Sequence, residues 1–448
     1  MANMGFCPQC GTQLPEGSAF CPGCGQSIAP LQQGQAQPAE PPQQGYPQQQ
    51  GYTQQQGYPQ QQGYPQQQYY PQQGYPAEWY QYQQQYAPTW YPQGYQQPLD
   101  SRSQIEQLLD KVNEMTGGTE HVKLHMSYLI DAVSRKHSRE EAEDIFICGT
   151  TRTTPPESAI SVAWPHPWLY SRILLIFLAS TVGLLFLALE FKNPNVLPGL
   201  MFIGSTMVPF AVLIFFFEVN APRNISFYET LLIFLVGGIA SLIVTLVIAP
   251  FIGGLLDDGK QGSSLLETMG IGIYEEIGKA VPVAYFLRGV NKKYILNGLL
   301  IGAAVGAGFA AFESAGYAFR FAAAGLSQAN QAGGWDNMVN SMMATIGLRA
   351  VLAPGGHVIW AAITGAALAM VKGFQDMSPE MLINPNFLKF FAIPIVLHGF
   401  WDYVAFNHAS ATMLACVGTT IVSWAVALVL LHAGLRQISQ LTGQERPD

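Results

Sequence analysis

The sequence has few charged residues for its length. Asp, Glu, Lys and Arg make up 11% of the 448 residues, whereas hydrophobic residues make up 49%. Soluble globular proteins carry about 25% charged residues, so this composition favours a membrane protein. The net charge of -8 and the lack of a basic run argue against a nucleic-acid partner. Because the first ten residues, MANMGFCPQC, have no apolar core flanked by basic residues, we expect no cleaved signal peptide.

Cysteine is also scarce, and four of the six residues form two CxxC pairs near the start of the sequence. These are Cys7, Cys10, Cys21 and Cys24. Two such turns can supply four thiolates at tetrahedral geometry, which closes a structural Zn²⁺ site. Two disulfides or redox motifs are the alternative, but the doubled spacing favours metal. We therefore predict a zinc ribbon over residues 1–26, in a reducing, cytoplasmic location. The isolated Cys148 and Cys416 are expected to pack in the core.

The composition changes twice before the apolar half begins. Residues 27–100 consist mainly of Gln, Pro, Gly and Tyr, with a recurring GYPQQQ motif. Such a segment cannot bury a core, so we predict a disordered linker. Residues 101–150 regain the apolar periodicity of helices, with Leu108, Leu109 and Val112 on one face. A short soluble helical bundle is predicted there.

Residues 160–435 form a succession of long apolar runs. Eight of them approach the ~20 residues that cross a bilayer, so we predict an all-α polytopic membrane protein with about eight transmembrane helices. The runs begin near Arg172, Val196, Tyr228, Thr268, Tyr294, Met342, Phe387 and Ala411. Basic residues favour the loops on one side, which predicts that both termini are cytoplasmic. Gly298, Gly302 and Gly306 repeat at four-residue spacing, a pattern that lets a neighbouring helix approach closely.

At least seven ionisable residues interrupt these spans, although each costs roughly 2.5 to 3.5 kcal/mol at the bilayer centre. They are Glu275, Glu276 and Lys279 in the fourth span, Glu313 in the fifth, His357 in the sixth, and His398 and Asp402 in the seventh. Polar cross-links between helices are the alternative interpretation, but seven such residues at similar depth favour a functional site. Paired carboxylates suit general-base activation of water, and facing histidines suit polarisation of a carbonyl or protonation of a leaving amine.

These motifs resemble those of the PrsW family of glutamic-type intramembrane proteases, which are relatives of the CAAX prenyl endopeptidases and abortive-infection-like proteins. The family's double glutamate and basic residue correspond to Glu275, Glu276 and Lys279; its second motif corresponds to Phe309 and Glu313; its third corresponds to His398 and Asp402. His357 matches the additional histidine of the PrsW branch. The prenyl endopeptidases have histidine at the position of Glu313, so their mechanism does not transfer to that residue.

The resemblance implies hydrolysis of peptide bonds in a membrane-anchored protein substrate, and the family's known substrates include anti-sigma factors. It further implies that Glu275 or Glu276 activates water, that His357 and His398 bind the oxyanion or donate a proton, and that Asp402 orients His398. Two histidines and a carboxylate also suit zinc. The lack of an HExxH motif favours metal-free glutamate catalysis, with a metalloprotease as the alternative.

Two other functional classes remain as alternatives to a protease. A non-catalytic membrane receptor or scaffold would use the buried polar cluster for ligand or ion binding, while the zinc ribbon captures a cytoplasmic partner. A transporter is a weaker hypothesis, because the sequence shows no repeated half with matching Pro-interrupted spans.

Overall fold

The computed structural model describes residues 103–256, 264–289, 291–327, 334–444 and 446. Within these ranges the chain is helical and contains no strand, as the fold prediction requires. The described residues belong to one compact unit. The predicted ribbon with its four cysteines and the predicted linker lie outside the described residues.

Three short helices precede the membrane helices: α1 (Gln104–Met115), α2 (Tyr128–Asp131) and α3 (Arg139–Phe146). Ser103 begins α1 with a capping box to Glu106. Leu109 of α1 and Leu129 of α2 are buried in the same core cluster as the membrane helices. The three helices therefore share the core of the membrane domain instead of forming a core of their own.

Nine longer helices follow. Their bounds are α4 Leu169–Glu190, α5 Leu197–Glu218, α6 Phe227–Leu256, α7 Leu265–Phe286, α8 Ile295–Ser327, α9 Gly334–Leu352, α10 His357–Lys372, α11 Pro385–Asn407 and α12 Thr412–Thr442. Seven segments of the described chain are long and apolar enough to cross a membrane, with α9 and α10 counted as one. The eighth predicted span, α7, falls outside this set because it carries four charged residues.

The length and neighbours of α7 are nevertheless those expected of a membrane-crossing helix. Its 22 residues extend about 33 Å at helical rise, which matches the hydrocarbon thickness. Gly278 of α7 lies against Thr245 of α6, and Gly270 lies against Leu256, so the two helices are antiparallel neighbours. On its other side α7 packs against α11. The prediction of eight membrane spans is therefore kept, and α7 is the span with the most charged residues.

The predicted glycine stripe brings α8 close to α10. Gly298 lies opposite Gly365, Gly302 opposite Ala361 and Gly306 opposite His357. A Cβ atom on any of these three glycines would overlap a carbonyl oxygen of α10. Glycine is therefore required for this close approach, as the spacing predicts.

The sixth predicted span, which begins near Met342, lies in one long apolar segment, Gly334–Lys372, that is interrupted in its middle. A 3-10 turn at Ala353–Gly355 separates α9 from α10. Pro354 cannot donate a backbone hydrogen bond, and two glycines follow it, so this sequence interrupts the helix. As a result, His357 is the first residue of α10.

The two described ends of the chain lie at the same end of the helix bundle. Arg436 of α12 donates to the Thr116 carbonyl oxygen at 2.9 Å, and Gln444 donates to the Ser158 carbonyl oxygen at 2.9 Å. Nearby, Lys293 binds Glu157, and this hydrogen bond lowers the pKa of the Glu157 carboxyl. An even number of spans fits this arrangement, whereas the side of the membrane on which these ends lie stays a prediction.

Reporter fusions test both the orientation and the crossing by α7. We expect a reporter after Asp448 and one inserted at 288–293 to be active only in the cytoplasm, because basic residues are retained on that side. Reporters inserted at 191–193 and 257–263 should be active only outside. If the insertions on either side of α7 report the same compartment, α7 does not cross the membrane.

Candidate active site

The predicted ionisable residues converge on the Glu275 carboxylate of α7. Its Oε2 atom lies 3.5 Å from His398 Nε2 on α11 and 4.0 Å from His357 Nδ1 at the start of α10. The two imidazole rings have centroids 5.0 Å apart. Residues from three helices thus form a triangle in which one oxygen and two nitrogens face a common point.

Glu276, the neighbour of Glu275, is held on the buried side of this triangle. Its Oε1 atom accepts hydrogen bonds from Lys279 Nζ at 2.8 Å and from His398 Nδ1 at 2.9 Å. Glu276 and Lys279 are fully buried, and the Lys279 ammonium lies 4.3 Å from the Phe309 ring centroid. We call Lys279, Glu276 and His398 the lysine arm. Its hydrogen bonds orient His398 so that Nε2 faces Glu275.

His357 has a carboxylate partner of its own, Glu313 of α8. His357 Nε2 lies 3.1 Å from Glu313 Oε2, which leaves Nδ1 on the side of Glu275. The ring of Phe309 packs beside His357 with a centroid separation of 5.1 Å. Both histidines therefore have one nitrogen on a carboxylate and the other directed toward Glu275.

The same oxygen of Glu313 also binds Arg349 of α9. Arg349 is not among the predicted site residues, although it lies within the sixth apolar run, in the segment LRAVLAPGG. A charged side chain within a membrane span is energetically costly, and this cost is the reason why the other seven residues were identified as candidates. Charge within an apolar run was therefore a sufficient signal for it.

Asp402 lies one helical turn after His398 on α11. Its Oδ2 atom is 3.5 Å from His398 Nε2, on the same side as Glu275. The structure thus brings all eight predicted residues into one cluster: Glu275, Glu276, Lys279, Phe309, Glu313, His357, His398 and Asp402.

Aromatic residues form the walls of the site. Trp360 stacks on His398 with a centroid separation of 4.7 Å, and its Nε1 donates to Ser423 Oγ on α12 at 3.0 Å. A cavity of about 70 Å³ beside His357 is lined in part by Trp360, Trp401 and Arg349. This volume is sufficient for water, which hydrolysis requires.

A bundle of membrane helices with a buried carboxylate and histidine cluster defines the class of protein, a helical membrane protein with a hydrolase-like site. Residues 228–431 match the model of the PrsW family intramembrane metalloprotease, and residues 6–28 match the model of a zinc-ribbon domain. Residues 228–431 of the membrane domain thus match the PrsW family, as the motifs predict, and residues 6–28 match a zinc ribbon. The comparison with curated proteins and with solved structures found no match.

The PrsW match includes every residue of the cluster and Arg349, but it begins later than the predicted domain start at residue 160. It extends from the first turn of α6 into α12. Helices α4 and α5 precede the match. The family assignment consequently rests on the part of the chain that contains the site.

The residues of the triangle fit a divalent metal ion. One ligand atom each from Glu275, His357 and His398 lies within 4.8 Å of the others, whereas ligand atoms of a tetrahedral zinc site are roughly 3.4 Å apart. His357 Nδ1 is buried and has no hydrogen-bond partner among the described residues. A carboxylate on the far nitrogen of each histidine is the arrangement that orients metal-binding imidazoles. The donor set therefore fits zinc after a small contraction.

Metal analysis of purified protein tests the predicted zinc ribbon and, separately, whether the triangle binds a metal ion. Replacing Cys7, Cys10, Cys21 and Cys24 by Ser should remove one equivalent of zinc, because four thiolates hold it. We expect this variant to keep one divalent ion and its proteolytic activity, and His398→Ala to lose the remaining ion. A four-serine variant that is metal-free yet active would show that the triangle works without a metal.

Proposed function

We propose that the protein is an endopeptidase that cleaves membrane-anchored proteins, and that Glu275 activates the attacking water. The match of residues 228–431 to the PrsW family supports intramembrane proteolysis as the activity of this domain. The observation that supports the role of Glu275 is its position, since its Oε2 atom faces His357 Nδ1 and His398 Nε2, the nitrogens that do not bind Glu313 or Glu276.

The contacts of the two adjacent glutamates assign them different roles. Both donors of the lysine arm occupy Glu276 Oε1, and the side chain is fully buried. Glu275 has only longer contacts, from 3.4 Å to Lys279 to 4.0 Å to His357, and 13% of its side chain is exposed. Its lone pairs thus remain available to accept a proton from water. Glu276 acts through the orientation of His398.

His398 is positioned to move the proton to the leaving amine. Its Nε2 atom lies 3.5 Å from both Glu275 and Asp402, so a proton taken up by Glu275 has a short path to it. His357 Nδ1 faces the same point and orients the water or the peptide carbonyl. Nitrogens fixed in this way stabilise charge that develops on the substrate oxygen.

A zinc ion held by Glu275, His357 and His398 would supply Lewis-acid polarisation of the peptide carbonyl and a more acidic bound water. The carboxylate charge of Glu275 is required with or without this ion. The same substitutions at Glu275 therefore test both versions of the mechanism.

The depth of the site indicates the class of substrate. Glu275 is 10 residues after Leu265 (275 − 265) and 11 before Phe286 (286 − 275), so it lies about 15 Å from either end of α7. The bond to be cleaved must reach the middle of the bilayer. A protein with a single membrane anchor fits this requirement, and a membrane-anchored anti-sigma factor is the substrate that the family resemblance implies. The zinc ribbon would capture a cytoplasmic partner.

Conservative substitutions of the acid pair test this proposal. Glu275→Gln should reduce cleavage of a membrane-anchored substrate in reconstituted vesicles by about 10²- to 10⁴-fold, because Gln keeps the size of Glu but cannot accept the proton. Glu276→Gln and His398→Ala should also reduce cleavage to near background, because they remove the orientation and the proton donor. Expression and thermal stability must match the wild type.

Glu267→Gln is the matched control. Glu267 lies on the same helix and completes the capping box with Ser264, a role that Gln also serves. This variant should cleave like the wild type. Full cleavage by Glu275→Gln would exclude that residue from the chemistry, whereas a wild-type protein that cleaves no substrate would favour a receptor or scaffold in which the cluster binds a ligand.

A further inference from the structure

Arg349 binds Glu313 of the site cluster, and neither the family motifs nor the sequence pattern assigned it a role. Its Nε atom donates to Ser314 Oγ at 2.7 Å, and its terminal nitrogen donates to Glu313. The guanidinium carbon also lies 4.6 Å from the ring centroid of Tyr317. These three partners lie within two turns of α8, so Arg349 fixes α9 to α8 at the level of the site.

We propose that Arg349 is a positioning residue for His357. Arg349 and His357 Nε2 share the Glu313 Oε2 atom, so the arginine fixes the oxygen to which the imidazole must donate. When His357 uses Nε2–H for this bond, Nδ1 carries the lone pair. That nitrogen is the one that faces Glu275. The inference rests on the proposed function of the site.

The lysine arm provides an independent parallel. Lys279 contacts Glu276 Oε1, which binds one nitrogen of His398, and the other nitrogen faces Glu275. The same order of cation, carboxylate and imidazole occurs in Arg349, Glu313 and His357, which come from three different helices. We call them the arginine arm. Both arms end at the same oxygen, Glu275 Oε2, so the site has two histidines that are oriented in the same way.

A purely structural role would require only that Arg349 neutralise a buried carboxylate. The observed geometry does more, because the guanidinium uses two nitrogens on two adjacent residues of α8 and thereby sets the position of the Glu313 carboxylate. Lysine is a point charge and cannot form both bonds with the same fixed geometry. Comparison of Met and Lys at position 349 therefore separates the charge from the geometry.

The experiment measures kcat and KM of full-length variants in vesicles that contain a cleavable membrane-anchored substrate. Arg349→Met should lower kcat by about 10- to 100-fold with little change in KM, as expected for loss of a residue that orients a site histidine. Arg349→Lys should recover part of this loss. Asp336→Asn, which removes an exposed ion pair with Lys192 at the start of α9, is the control and should keep the wild-type kcat.

A double-mutant cycle shows whether Arg349 acts through Glu313. Glu313→Gln alone should lower kcat to a similar extent, and adding Arg349→Met should lower it by less than about 3-fold more, because the arm is already broken. Additive losses would overturn the proposal, and so would a raised KM with unchanged kcat, which would place Arg349 in substrate binding. If Arg349→Met does not insert, a wild-type kcat for Arg349→Lys would also overturn it.

Failure of the proposed function is distinguishable from failure of this inference. If the wild-type protein cleaves no substrate, the arm is still tested by thermal unfolding in the same vesicles. Arg349→Met is introduced into the wild type and into the His357→Ala variant, and the shift in Tm is measured in each. The two shifts should differ by about 2 to 4 °C, because the effects of substitutions at coupled residues are not additive. Equal shifts would show that Arg349 and His357 are independent.

Discussion

Neutralisation of carboxylates in a non-aqueous interior is the constraint on which the rest of this structure depends. An unpaired charge in hydrocarbon is costly, so buried acids need cations and hydrogen-bond donors close by. Glu276 has Lys279, and Glu313 has Arg349. In each pair, the carboxylate oxygen that binds the cation also binds a histidine. The ion pairs that neutralise the two carboxylates therefore also orient the two histidines. Glu275 lies between the two arms and has longer contacts.

The backbone makes this pairing possible through close approach and one interruption. Glycines of α8 let α10 approach until His357 can reach Glu313, whereas a Cβ on Gly306 would overlap the His357 carbonyl oxygen. The break at Pro354 directs α9 and α10 separately, and Arg349 of α9 and His357 of α10 contact the same oxygen of Glu313. An unbroken helix with 3.6 residues per turn would direct residues 349 and 357 about 80° apart around its axis and separate them by about 12 Å along it.

Much of the fold and most of the site could be predicted from sequence, because both depend on local signals. The lengths of the apolar runs predicted the membrane helices. The charged residues within those runs, together with the spacing of the motifs, predicted the residues of the cluster. The difference between Glu275 and Glu276 could not be predicted, because adjacent helical side chains point about 100° apart and only the position of α11 decides which one meets His398 Nδ1. Arg349 had a sequence signal, but its partners on α8 depend on tertiary packing. The orientation in the membrane stays a prediction.

Helix α12 illustrates how a helix that gives no ionisable side chain to the described cluster still determines its geometry. Ser423 accepts the Trp360 indole N–H and donates to the Gly355 carbonyl oxygen, and Trp424 donates to the Pro354 carbonyl oxygen. A helix break exposes backbone carbonyls that lack partners within the helix, which would be costly in a bilayer. Helix α12 supplies hydrogen bonds to these carbonyls and fixes the Trp360 indole that stacks on His398. It thereby stabilises the helix break beside the site. Positioning of the histidines is therefore a property of the whole helical bundle.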